Sequence, residues 1–80
     1  MKKGEISVRS AATMAFDDMK PIFTIRTFIN RVRSITLPYY PLDGNIQRRL
    51  RELRADDPKR FGYEYKIKDG YGYYEKSAKN

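Results

Sequence analysis

Residues 43–76 read DGNIQRRLRELRADDPKRFGYEYKIKDGYGYYEK, and the apolar repeat changes period inside that stretch. Ile46, Leu50 and Leu53 recur at i, i+4 and i+7, the stripe of a helix. Asp57-Pro58 stops that helix. Phe61, Tyr63, Tyr65 and Ile67 then alternate with Gly62, Glu64, Lys66 and Lys68, the period of a strand with one face turned in. Asp69-Gly70 suits a tight hairpin turn, because both residues tolerate positive φ, and a return strand follows to about Lys76. A two-residue turn pairs Tyr65 with Tyr74 and Ile67 with Gly72, and sets Glu64 opposite Glu75, a mildly unfavourable pair. A four-residue loop at DGYG is the other register open to the hairpin. Tyr63, Tyr65 and Tyr74 are expected to face the core.

Upstream, two more helices are predicted. Ser7 caps the first, residues 7–19, in which Val8, Ala11, Ala12, Ala15, Phe16 and Met19 share a face and Pro21 lies just beyond the end. Thr24 caps the second, with Ile25, Phe28, Ile29 and Val32 as its buried stripe, Ile35 one turn on, and Arg26, Asn30, Arg31 and Arg33 outside it. Between them Ile22-Phe23 is too short for a strand on its own but could extend a sheet edge. The connection TLPYYPL carries two prolines, which interrupt helix, and Tyr39-Tyr40 is expected to pack over a small core rather than stack on a base. Asp43 is expected to cap the third helix, its charge suiting the positive end of the helix dipole.

The eighty residues make one small domain. The prediction is an α+β domain over 7–76, three helices followed by a two-stranded antiparallel hairpin, with flexible ends at 1–6 and 77–80. Cysteine and histidine are both absent, which removes a disulfide framework and the softer metal ligands. No apolar run approaches the ~20 residues of a membrane span, and Lys2-Lys3 is not followed by the apolar stretch of a signal peptide. A cytoplasmic protein is expected, nucleoid-associated in a bacterial or phage setting. The GxxxxGK[ST], GxGxxG and HExxH patterns are missing, and Asp17-Asp18 and Asp56-Asp57 are neighbours that diverge on a helix. No enzyme, cofactor, metal or small-molecule ligand is expected.

The formal charge is +7, from 17 Lys+Arg against 10 Asp+Glu. Residues 24–54 hold seven arginines against two acids, Asp43 and Glu52. On the third helix Arg48 points almost opposite the apolar stripe, Asn45 and Arg51 lie on the outer half, and Gln47 flanks the boundary. Those side chains match base edges: Arg bonds guanine O6 and N7 together, and Asn or Gln does so with adenine. Arg48–Glu52 at i, i+4 is the plain alternative, an ordinary ion pair on a solvated helix. Arg49 and Arg54 are placed to lay their stems over the core.

The order helix, short extended piece, helix, loop, helix, hairpin resembles the winged helix-turn-helix superfamily of DNA-binding domains. TIRTFINRVR stands as the positioning helix, LDGNIQRRLRELR as the recognition helix and YEYKIKDGYGYYEK as the wing. The connection of about 36–42 is longer than a compact helix-turn-helix uses. The resemblance implies base or groove contacts from Asn45, Gln47, Arg48 and Arg51, phosphate contacts from Thr24, Arg26 and Thr27, and wing contacts from Lys66, Lys68 and Tyr71. The function expected from it is sequence-specific binding of double-stranded DNA, as a small transcriptional regulator or phage- or plasmid-type accessory factor. The alternative is a protein-interaction module that docks an acidic partner on the same arginines. A homodimer is open as well, since such domains often pair on two-fold sites.

Overall fold

A computed structural model describes residues 6–77 of the chain. Helix α1 spans Val8–Asp18, strand β1 Ile22–Phe23, α2 Ile25–Thr36, α3 Asp43–Asp56, α4 Pro58–Phe61, β2 Tyr63–Lys68 and β3 Tyr71–Lys76. Of the ends expected to be loose, residues 1–5 and 78–80 lie outside the described residues. Ile6 packs against the core, and Ser77 donates its backbone N–H to Gly62 O.

Helix starts follow local chemistry. Ser7 accepts the Ser10 amide and Thr24 the Thr27 amide, each filling one orphan donor of a first turn. Asp43 does not cap α3. Leu42 stands at that position without a side-chain bond, and Asp43 opens the helix as its first residue. The reason is Arg33, whose Nη2 holds the Asp43 carboxylate at 2.5 Å. Asp57 ends α3 and caps α4, where Pro58 supplies a preset φ at the first position.

The sheet has three strands in the order β1-β3-β2, all antiparallel, instead of the two predicted. Ile22 and Phe23 join because Pro21 O accepts the Lys76 amide at 2.8 Å, which places them beside Glu75 and Tyr74. The hairpin takes the two-residue turn. Tyr65 faces Tyr74, Ile67 faces Gly72, and Asp69 and Gly70 both carry positive φ. Glu64 does fall opposite Glu75, and Lys66 relieves that pairing by bonding the Glu75 carboxylate at 2.5 Å.

One apolar cluster joins the layers. Ala11, Ala12 and Ala15 let α1 approach its neighbours closely, and Phe16 meets Phe23 and Phe61 edge to face at 5.9 and 5.3 Å. Phe28, Ile29 and Val32 of α2 and Ile46, Leu50 and Leu53 of α3 complete it. The core reaches only the base of the hairpin. Tyr63 is buried, but Tyr65 is 56 % and Ile67 69 % exposed, against the expectation that this face turns inward along its length. The helices simply end before the hairpin does. Beyond Tyr63 the face of β2 is open to solvent. No described helix is long and apolar enough to cross a membrane.

Candidate nucleic-acid interface

Where the carboxylates sit decides which arginines are available. Four ion pairs tie the helices together: Arg9–Asp56 between α1 and α3, Arg60–Asp17 between α4 and α1, Arg31–Asp18 between α2 and α1, and Arg33–Asp43 between α2 and α3. Asp57 is occupied as the cap of α4, and Glu52 takes Arg48 and Arg49 at 3.2 and 2.7 Å. Every described helical carboxylate is thus engaged. Among the described residues Lys20, Arg26, Arg51, Arg54, Lys59, Lys68 and Lys76 meet none, although Arg54 and Lys76 donate to the carbonyls of Tyr63 and Met19.

Arg33 has a different task from the other arginines. Its side chain is only 13 % exposed, and it donates twice to Pro41 O at 3.1 and 2.9 Å. Its guanidinium also lies 4.0 Å from the Tyr40 ring centroid. Thr36 reinforces the same connection by donating to Tyr39 O at 3.0 Å. Together they set where α3 begins. Tyr39 and Tyr40 themselves do not pack over the core; they are 57 % and 62 % exposed, because the backbone beneath them is pinned by Arg33 and Thr36.

The residues expected to contact a ligand fall in three places. On α3, Asn45, Arg48 and Arg51 are exposed and Gln47 is half-buried. Arg48 keeps 70 % of its side chain in solvent while touching Glu52. Arg49, donating to Glu52, holds that carboxyl below the ordinary carboxylate range, and Arg48 adds to the effect. At the start of α2, Thr24 and Thr27 are exposed and share a 3.0 Å hydroxyl bond, with Arg26 exposed between them. Thr24 lies one residue past the Phe23–Tyr74 pair, on the tip side of β3's outer edge. On the hairpin, Lys66, Lys68 and Tyr71 share one face, Tyr71 lying opposite Lys68 next to the turn. Lys66 is held by Glu75, whose hydrogen bond raises the lysine's pKa.

Helix α3 meets the opposite face of the hairpin. Arg54 stacks 4.3 Å over the Tyr63 ring and donates to Tyr63 O at 3.3 Å. Burial raises the pKa of Tyr63 and Tyr74, while the positive charges of Arg51 and Arg54 pull both phenols the other way. Arg51 therefore lies near these rings, and the exposed Tyr65 continues the aromatic row, 5.0 Å from Tyr74. A Cβ on Gly72 would lie 1.9 Å from Tyr65 Oη, so the ring covers the glycine.

Tyr65 and Ile67 are exposed, whereas sequence reasoning turned their face of the hairpin toward the core. The signal available was the length of the alternation, which outran the apolar stripes of helices short enough to cover it.

Among the described residues no group of three or more acidic side chains could hold a metal ion. Neither a family model, nor a curated protein, nor a solved structure matches the chain.

Proposed function

We propose that this chain is a sequence-specific double-stranded DNA-binding protein of winged helix-turn-helix architecture, acting as a small transcriptional regulator or phage- or plasmid-type accessory factor. The observation that carries the reading is the charge arrangement. The helical carboxylates are committed to arginines, and of the described cations left without one, Arg26 sits at the start of α2, Arg51 on α3 and Lys68 near the hairpin tip, while Arg54 and Lys76 donate to backbone carbonyls, Lys20 follows α1 and Lys59 lies on α4. A polyanion is the partner such a surface favours.

Helix α3 enters the major groove, whose ~12 Å width matches a helix with its side chains. Asn45, Arg48 and Arg51 address base edges, with Gln47 at the margin. Arg26, with the Thr24 and Thr27 hydroxyls, contacts phosphate and sets the docking angle. Lys68 and Tyr71 reach the flanking backbone from the hairpin, and Lys66 assists to the extent that Glu75 releases it.

If Arg26, Arg48, Arg51 and Lys68 each displace one counterion, log K falls with log[salt] at a slope of about −3.6. That is roughly a hundredfold loss between 50 and 200 mM salt. Fluorescence anisotropy with a labelled duplex, titrated at several salt concentrations beside an RNA duplex of equal length, tests the proposal. Steep salt dependence and a preference for DNA support it. Absence of DNA binding at low salt rejects it and directs the search to an acidic protein for the same face.

A further inference from the structure

We infer that the α2–α3 connection is a self-association surface through which two copies of this chain meet about a two-fold axis. In an otherwise highly charged chain, residues 35–42 carry no side chain that is charged at neutral pH. Four large side chains of that segment point to solvent: Leu37 61 %, Tyr39 57 %, Tyr40 62 % and Leu42 71 % exposed. The backbone beneath them is not loose. Pro41 is fully buried, its carbonyl takes two bonds from Arg33, and Thr36 is bonded to Tyr39. The result is a prearranged apolar patch, the kind of surface that binds with little ordering entropy.

Leu42 supplies an independent reason to look for an occupant. It stands at the N-cap of α3, where Ser, Thr, Asn or Asp would accept an amide and stabilise the helix by about 1 kcal/mol. An exposed leucine there gains nothing from the core. Local rules broken without a folding benefit point to a contact outside the monomer.

The chemistry selects a second copy. The cation in contact with the patch, Arg33 over the Tyr40 ring, is only 13 % exposed and already held by Pro41 O and Asp43, which leaves little positive charge to draw an acidic protein or a nucleic acid backbone. Two molecules of charge +7 repel over most of their surface, and this uncharged stretch lets them approach without opposing like charges. The exposed parts of two tyrosines and two leucines amount to on the order of 500 Å² per copy, below the ~800 Å² of a standard stable interface. The dimer is therefore weak when free, and a two-fold pair of sites on a common ligand would reinforce it.

Sedimentation equilibrium of the protein without DNA, from ~10 µM to ~1 mM, tests this directly, because dimers of this area dissociate in that range. The wild type should pass from monomer to dimer across the range. The Tyr39→Ser/Leu42→Ser double variant should weaken the association roughly tenfold or more. Its circular dichroism should stay unchanged, since serine at position 42 supplies the missing cap. Tyr39→Lys, which sets like charges against each other across the two-fold, should weaken it as well. A wild type that stays monomeric to ~1 mM, or variants that dimerise like the wild type, would overturn the inference. Neither result bears on DNA binding by the monomer.

Discussion

Replacing Arg33 with alanine tests how this domain sets the start of α3. The substitution removes two bonds to Pro41 O, one to the Asp43 carboxylate and the guanidinium over Tyr40. Hydrogen bonds with a charged partner contribute ~1.5–3 kcal/mol each, and a cation–π contact near the surface ~0.5–1. The bonds share one donor group and do not add fully, so the expected loss is about 3 kcal/mol. A chain of this length has about 4–12 kcal/mol of stability in total. The melting temperature should accordingly drop by about 12–24 °C. Arg33→Lys keeps the charge but not the fork, and should recover less than half of the loss. Urea unfolding followed by circular dichroism measures the change from the shift in midpoint at constant slope. A loss of ~0.5 kcal/mol or less for Arg33→Ala, the size of an ordinary surface substitution, would refute the assignment.

Other outcomes follow from the same geometry. Lys68→Ala should weaken binding to all duplexes alike and reduce the salt slope by about 0.9, and Lys66→Ala should do less because Glu75 already neutralises it. Arg48→Ala should lose discrimination at one base position, which a panel of single-base duplex variants would detect. Glu52 has its folded pKa below the ordinary 4.5 because Arg49 and Arg48 donate to it. Its contribution to stability is therefore fully present above the ordinary 4.5 and is lost as pH falls from that value through the lower folded one. Glu52→Gln should flatten that part of the acid limb in urea titrations and, by releasing Arg48, tighten duplex binding in anisotropy. Gly72→Ala should destabilise the wild type by about 1 kcal/mol, since the ring over it must move, yet stabilise a Tyr65→Ala background by about 0.5 kcal/mol. Equal effects in the two backgrounds, read by urea unfolding, would mean that the ring does not cover the glycine.

The helices were legible because their apolar residues repeat and their caps are local. Ser7 and Thr24 bond amides three residues away, which needs no knowledge of the rest of the chain. Asp43 shows the limit of that reasoning: its carboxylate goes to Arg33, ten positions back, and the cap position falls to Leu42. Strand β1 is two residues long, too short to have a period, and it forms only because Lys76 returns beside Pro21. The short α4 carried a readable signal in Asp57-Pro58, which starts a helix as well as stopping one. Alternation along β2 named the face correctly but could not tell how far the helices cover it. Tyr65 and Ile67 were assigned to the core for that reason. At the candidate site, residue types were visible and pairing was not. Arg33 read like its neighbours on α2, and only the fold separates it from Arg26, which meets no described carboxylate.

The most direct test of the central proposal is a titration of isotope-labelled protein with a duplex, following each backbone amide by NMR. Duplex docking on this face should give the largest shifts at the start of α2, on the Asn45, Arg48 and Arg51 side of α3, and along the hairpin beyond Tyr63. Shifts concentrated instead on the ion-paired side formed by α1 and α4, or no shifts at low salt, would contradict it.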